Sequence, residues 1–473
     1  MKKIDVAVVG SGIGGSLFAK LNNDKNLILF EKDSNLGGCA STFKRFGHHF
    51  NTGATTFVGY EQGHILKNMF DKVGFVPDIT KSNIAFRTIQ NDKIVDRIKD
   101  FDEFLENLDK NYYHENNRVF WQKIKEIDEK FWQLKSVYFS KYSLIAYAKT
   151  ANFVFELLKN YGFDVLVSAE SFINKYLPNI SKEYKAFIDA QLLITLQTTS
   201  KNATLLSMSL GLAYPFHDVF YVNKGMGNIF DDLLKDVDVR KKEEIKKILK
   251  KPYGFEVQTS KDVYFAKNVV LNSTLFDSKK LFDDKDIQKY YDKFEFNDQS
   301  AFVIYLVLNT DKKLLNHYQI ILDKEIKNCI SNSFFVSIAN ENDEKLAKNG
   351  LSVTVSTHTK AKFWNELKSE SYTKYELEKD KTVNEILRNL KDKLDLKDNE
   401  ISLNFSATSS SFNKYINRIN CGGKAINISN ITQLASAKTP FKGLYNIGDT
   451  VFAGQGWPGV ALGVDVLNKE FND

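Results

Sequence analysis

The sequence predicts an α/β fold in which a parallel-sheet domain is interleaved with a second domain of mixed sheet and helices. Three observations lead there. A nearly continuous apolar run at residues 4–9 enters a glycine-rich turn and then a helical stretch, as a strand buried on both faces does. Runs of the same kind recur at 267–274 and at 442–450, the second followed by a helical stretch that ends the chain. Between these segments lie aromatic-rich helical patterns and further strand-like runs, so each domain is built from separated pieces of chain.

Taken in order, residues 4–9 are a strand, 12–21 a helix with Leu17, Phe18 and Leu21 inward, and 27–30 a second strand ending at Glu31. From about 67 to 201 the pattern is mostly helical, with aromatic and aliphatic residues at helical spacing from Phe120 through Trp132. A glycine turn at 221–227 opens a helix near Asn228. Ile245, Ile248, 255–257 and 263–265 suggest strands. Residues 301–308 and 351–357 read as strands of a second sheet, and 372–396 as a charged amphipathic helix or helix pair with a solvated face. The expected division is 1–75, 221–290 and 400–473 for the parallel-sheet domain. The other domain then takes 76–220 and 291–399.

Composition narrows the function classes. With 473 residues, 43% hydrophobic and 26% charged, the chain can bury a large core. A net charge of +6 spread along the chain does not point to nucleic acid and is compatible with weak attraction to an anionic membrane surface. Cys39, Cys329 and Cys421 form no C-x-x-C pair, which fits a reducing, cytoplasmic setting and indicates no zinc site or other metal. The opening MKKIDVAVVGSG does not read as a signal peptide, and no apolar run reaches 18 residues, so membrane contact would be peripheral, on the inner face.

Gly10, Gly12 and Gly15 form G-x-G-x-x-G between strand and helix, with the acid Glu31 at the end of the next strand, the context of a Rossmann-type dinucleotide site. Gly10 permits the turn, Gly12 admits a pyrophosphate close to the backbone, and Gly15 lets helix and strand pack. The helix N-terminus offers free N–H groups to phosphates, and the Glu31 carboxylate accepts ribose hydroxyls. A second glycine pair, Gly37-Gly38, just past the acid favours FAD over a nicotinamide cofactor.

Here the chain resembles the FAD-dependent amine-oxidase-like superfamily, and within it the phytoene desaturase, carotenoid isomerase and retinol saturase group. The resemblance extends to GHHFNTGATTFVG at 47–59, YVNKGMGNIFDDL at 221–233, ATSSSFNKYINRINCGG at 407–423 and GDTVFAGQGWPGVALGV at 448–464. It implies cofactor contacts at Gly10, Ser11, Gly12, Ile13, Gly14, Gly15, Glu31, Lys32, Gly37, Gly38, Cys39, Thr52, Gly53, Ile245, Gly448, Asp449, Gly456, Gly459 and Val460. Three positions depart from the common pattern: Cys39 follows the glycine pair where Arg is frequent, Asn51 replaces an acid, and Trp457 stands where smaller residues are usual.

The implied chemistry is hydride transfer between a carbon–carbon bond of a polyene lipid and the flavin, with a proton moving separately. His49 and Trp457 are candidates near the reacting region, whereas His217 and His358 read as isolated structural residues. Reduced-flavin-dependent carotenoid cis–trans isomerisation is the nearest alternative. A flavin amine oxidase and a prenyl-protein escort that uses no flavin are further ones. The electron partner is open.

Overall fold

A computed structural model of the chain describes every residue except 1, 54, 135, 425–432 and 473. Its first sheet is centred on strand Lys2–Val9, which pairs in parallel with Leu27–Glu31 on one side and Val263–Leu271 on the other. Val239–Lys241 extends the sheet beyond Leu27–Glu31, and Leu444–Asn446 beyond Val263–Leu271, again in parallel. An antiparallel pair, Ile245–Lys251 and Gly254–Thr259, is added at the start of Val263–Leu271. Because side chains alternate across a strand, Val6 and Val8 point to one core while Ala7 points to the other. The runs read as continuously apolar for that reason.

Helix Ile13–Leu21 and the last helix, Gly456–Asn472, lie on the same face of this sheet. The Phe18 and Phe471 rings meet edge to face at 5.3 Å, and Asn22 Nδ2 donates to Asn468 Oδ1 at 2.9 Å. The first and last helices therefore pack against each other.

The second sheet runs in the order Ile401–Ala407, Ser300–Leu308, Leu351–Thr359, Ser333–Ile338, His317–Ile321, Ile84–Gln90, Lys93–Ile98. All its pairings are antiparallel except that between His317–Ile321 and Ile84–Gln90. Helices Ala361–Glu370 and Tyr372–Leu394 cover one face through Trp364, Tyr375, Ile386 and Leu390. A separate helical core forms where Phe101–Asn111, Asn117–Trp132, Lys182–Leu196 and Leu205–Ala213 pack around Trp121, Phe187 and Leu212.

Two local expectations change and one is narrowed. Within 67–201, residues 79–98 hold strands, because Asn91, in the left-handed region at φ 55°, and Asp92 close a two-residue hairpin between Gln90 and Lys93. Residues 372–394 form one amphipathic helix rather than a pair, with one side buried on the second sheet. Strand Ile401–Ala407, grouped by sequence with the parallel-sheet domain, adds instead to the edge of the second sheet.

Candidate active site: a glycine cradle opening into an apolar chamber

The first glycine turn is shaped by contacts that leave no room for side chains. Gly10 has φ 91°, and a Cβ on Gly15 would stand 2.1 Å from the Gly10 carbonyl oxygen. Gly12 and Gly14 face Asn272, whose side chain extends from the end of strand Val263–Leu271 and donates from Nδ2 to Gly10 O at 3.2 Å. A Cβ on Gly14 would also lie 3.3 Å from Gly448 N and 3.2 Å from Val460 Cγ1, so the N-terminal and C-terminal motifs touch. Asn272 escapes sequence reading. The only signal was a polar residue closing an apolar strand.

Glu31 folds back onto this loop. Its Oε2 accepts from Ser11 N at 2.9 Å and Ser11 Oγ at 2.6 Å, and its Oε1 accepts from Asp33 N at 2.8 Å. A carboxylate offers about four acceptor positions, so one on Oε1 stays open. Gly37, at φ 102°, donates to Ser11 O at 3.1 Å and packs on the Phe230 ring, which a Cβ would approach to 2.5 Å. Lys32 Nζ bonds Asn417 and the Lys414 carbonyl.

Around the next turn, Asn51 Oδ1 accepts from Thr42 Oγ1 at 2.8 Å and Met226 N at 2.9 Å, while Thr42 Oγ1 accepts from Gly227 N at 2.9 Å. Asn51 thus supplies the acceptor that an acid would have supplied. Thr52 and Gly53 follow on the wall, with Thr52 Oγ1 2.6 Å from Ser41 Oγ and its carbonyl accepting from Tyr305 OH at 2.7 Å.

Asp449, at the C-terminal motif, pairs with Arg418 through Oδ2···Nη2 at 2.6 Å. Burial opposes the Arg418 charge, but Asp449 beside it more than offsets that and keeps the guanidinium firmly protonated. Arg418 Nη1 also reaches Cys39 Sγ at 3.8 Å. The Cys39 side chain is exposed on the cavity wall. Arg418 is a second residue that sequence reasoning missed.

These elements line one continuous cavity of about 1350 Å³. At one end are Gly10 to Gly14, Glu31, Lys32, Gly37, Gly38, Cys39, Ile245 and Gly448–Asp449. In the middle are Gly456, Trp457, Gly459 and Val460. The other end is walled by Phe131, Ile194, Leu210, Tyr214 and Leu462. The volume exceeds the roughly 300–1,000 Å³ of a single small-molecule site, which leaves space for a dinucleotide and a second molecule. The glycine cradle and the acceptor on Glu31 fit the phosphates and ribose of a dinucleotide.

Two expected residues stand elsewhere. Gly15 packs behind the cradle rather than on the wall. His49 is off the cavity. Its carbonyl accepts from Ser352 Oγ at 2.7 Å, and partial burial with Lys345 and Lys44 nearby holds its ring below its ordinary value. Trp457 does border the cavity but is mostly core, stacked on Phe230 at 5.5 Å and edge-on to Phe57 at 5.1 Å.

The apolar end carries a polar group that the sequence disguised. His217 Nε2 lies 2.5 Å from Asp128 Oδ2, and Trp132 Nε1 donates to Asp128 Oδ1 at 3.0 Å. Asp128 is 2% exposed. Burial alone would lower His217, but the hydrogen bond and charge of Asp128 hold it above its ordinary value. His64 packs against His217 at 4.5 Å and Trp132 at 4.8 Å. His217 is therefore not isolated. Its partners come from residues 64 and 128, which no local spacing connects.

Comparisons with known proteins agree with this architecture. Residues 8–73 match the NAD(P)-binding Rossmann-like domain family. Prolycopene isomerase of Daucus carota is 24% identical over 98% of this chain and 78% of that protein. These likenesses support a relation to the FAD-dependent amine-oxidase-like superfamily. Human all-trans-retinol 13,14-reductase is 34% identical over a shorter stretch, 15% of this chain and 12% of that protein. A solved putrescine oxidase variant superposes with a TM-score of 0.65 at 15% identity, covering 100% of this chain and 99% of its own, and so shares its fold.

Proposed function

We propose that the protein binds FAD along the glycine cradle and transfers hydrogen at a carbon–carbon bond of a polyene lipid, carotenoid-like or retinoid-like. The observation that carries this reading is the continuity of one cavity from the dinucleotide cradle into an aromatic and aliphatic chamber. When bound, the flavin would exchange the hydride. The chain's own residues do the rest. Glu31 would accept from the ribose, and the N-terminus of helix Gly456–Asn472, with Pro458 in its first turn, would offer partial positive charge to the ring. Phe131, Leu210 and Leu462 exclude water from the reacting bond.

The lipid would enter from a membrane surface. Helix Leu144–Tyr161 leaves Leu144 89% exposed and Phe155 63% exposed, with Ile145 and Tyr147 beside them. Its inner residue Phe153 packs into the same cluster as Phe131 and Leu462, which wall the chamber. Among the described residues no helix is long and apolar enough to cross a membrane, so contact through this face would be peripheral.

The test is spectroscopic. The purified protein should carry flavin absorption, and its anaerobically reduced form should be reoxidised by one member of a panel of polyenes. A colourless protein that cannot be reconstituted would end this reading. A second reading, isomerisation with no net electron transfer, is favoured by the near full-length likeness to a prolycopene isomerase. It predicts cis–trans product from reduced enzyme with no lasting reoxidation.

A further inference from the structure

One wall of the cavity is a face of the second sheet. Strand Leu351–Thr359 turns Val353 and Val355 to the core beneath the covering helices. Its opposite face carries Ser352, Thr354, Ser356 and His358 in alternation. Ser352 Oγ and Thr354 Oγ1 are engaged by the carbonyls of His49 and Asn51, at 2.7 and 3.1 Å. Ser356 and His358, further along, border the cavity. Phe335 is paired opposite Ser356 and packs with Ile194 and Tyr214, which wall the apolar end.

His358 differs from the other buried histidines in what its ring meets. Nδ1 of His64 and Nδ1 of His317 are shut away from any surface. His358 stays partly exposed between buried Thr357 and Thr359. Among the described residues neither of its ring nitrogens has a hydrogen-bond partner, and neither is sealed off. The ring is nonetheless deep enough for burial alone to hold it neutral, at about 4, with no charged neighbour contributing. A group that lies deep yet keeps open surface keeps it toward a cavity, and the cavity that His358 borders is this one. Only the methyl of Ala301, also on the wall, stands opposite it on the neighbouring strand. His358 is thus isolated from other charges, as its sequence context suggests, but it is not packed away.

We propose that His358 is the polar subsite of the chamber, holding one neutral oxygen, hydroxyl or carbonyl, of an otherwise apolar substrate. This rests on the chamber being the substrate site, as proposed above. A neutral imidazole carries one donor and one acceptor, so a hydroxyl pairs with whichever nitrogen is presented and a carbonyl with the N–H. A carboxylate or an ammonium would bring charge to a wall that holds no counter-charge beside the ring. A pure hydrocarbon would strip water from both nitrogens and pair neither.

Five conjugated polyenes of one chain length, ending in methyl, hydroxyl, aldehyde, carboxylate or ammonium, test this on the purified holoenzyme by quenching of tryptophan fluorescence. The alcohol and aldehyde should bind roughly tenfold more tightly than the hydrocarbon, the equivalent of one hydrogen bond. The carboxylate and ammonium should gain nothing over the hydrocarbon. In the Raman spectrum of the bound aldehyde, the carbonyl stretch should fall below its value in hydrocarbon solvent. His358→Phe and His358→Leu should each bring the alcohol and aldehyde to the hydrocarbon's affinity and return the stretch to its solvent value, while His358→Gln should restore part of both. Equal binding of alcohol and hydrocarbon by the unaltered protein would overturn the subsite. So would a preference or a shifted stretch that survives the apolar variants, a uniform loss across all five ligands in them, or tightest binding of the acid or amine. Absence of binding by every polyene would overturn it together with the chamber reading. The flavin spectrum of the same sample separates the two proposals: yellow protein that binds polyenes with no oxygen preference defeats only the subsite.

Discussion

The glycine cradle and the histidine cluster at the far end of the cavity are built on opposite principles. The cradle is shaped by backbone. Gly10, Gly12, Gly14 and Gly15 fall within six residues, and what matters is the side chains they lack. The cluster is shaped by side chains from residues 61, 64, 128 and 217, delivered by a loop, a helix and the segment after a short 3-10 turn. A backbone device tolerates almost no substitution. A side-chain device can be weakened by degrees.

The sharpest way to break the cradle is Gly15→Ala. Its Cβ would lie 2.1 Å from the Gly10 carbonyl, a backbone atom that cannot retreat without parting the first strand from the first helix. A loss of about 3 kcal/mol or more is expected, the upper range of overpacking. Chemical unfolding followed by circular dichroism, with flavin retention measured alongside, checks it. A wild-type midpoint would show that the strand–helix contact is looser than drawn.

In the cluster, His217→Gln should cost about 3 kcal/mol, the lower range for removing one partner of a buried pair, since Trp132 still supports Asp128. Asp128→Asn should cost less, because it leaves no uncompensated buried anion. Equal losses would show that volume rather than charge is at stake. The sign with pH is also distinctive. The folded value of His217 is raised, so its stabilisation is complete below the unfolded value of 6.5 and disappears as pH climbs through the folded one.

This contrast explains what could be read in advance. The first sheet's strands near residues 4–9, 27–30, 267–274 and 442–450, the first helix, the last helix and the glycine positions were legible because each announces itself over a few consecutive residues. Asn272 and Arg418 were not, since their roles depend on strands and loops converging from residues 10 and 449. His217 looked isolated because Asp128 is 89 positions away in the chain. Strands His317–Ile321 and Ser333–Ile338 were missed as well. They are wholly buried, so the alternation that marks a half-solvated strand is absent. Asn91-Asp92 is the exception, a plain hairpin signal inside a stretch read as helical.

A third site sharpens the acid side of the comparison. His317, 2% exposed, bonds Thr55 Oγ1 at 2.9 Å, and burial lowers it to about 4. Its folded value lies below the unfolded 6.5, so stability is full above pH 6.5 and falls by up to about 3 kcal/mol as pH drops toward 4. His317→Gln should flatten that stretch of the stability profile. An unchanged slope between pH 6.5 and 4 would place the acid sensitivity in other groups.

The mildest change in stability should come from the outer helix, where the comparison turns from folding to access. Ile145 and Phe155 are exposed on Leu144–Tyr161, so Ile145→Asp with Phe155→Asp should shift stability by less than about 0.5 kcal/mol for each substitution. Each removes apolar surface that a lipid headgroup region would otherwise cover, and each adds negative charge to a helix that carries two lysines and one glutamate. The double variant should therefore keep its melting temperature and its flavin, yet sediment less with anionic liposomes and turn over membrane-dispersed polyene more slowly than detergent-solubilised polyene. Unaltered sedimentation would remove this face as the route in. It would leave the chamber to be loaded from elsewhere, because neither residue touches the cradle or the His64 group.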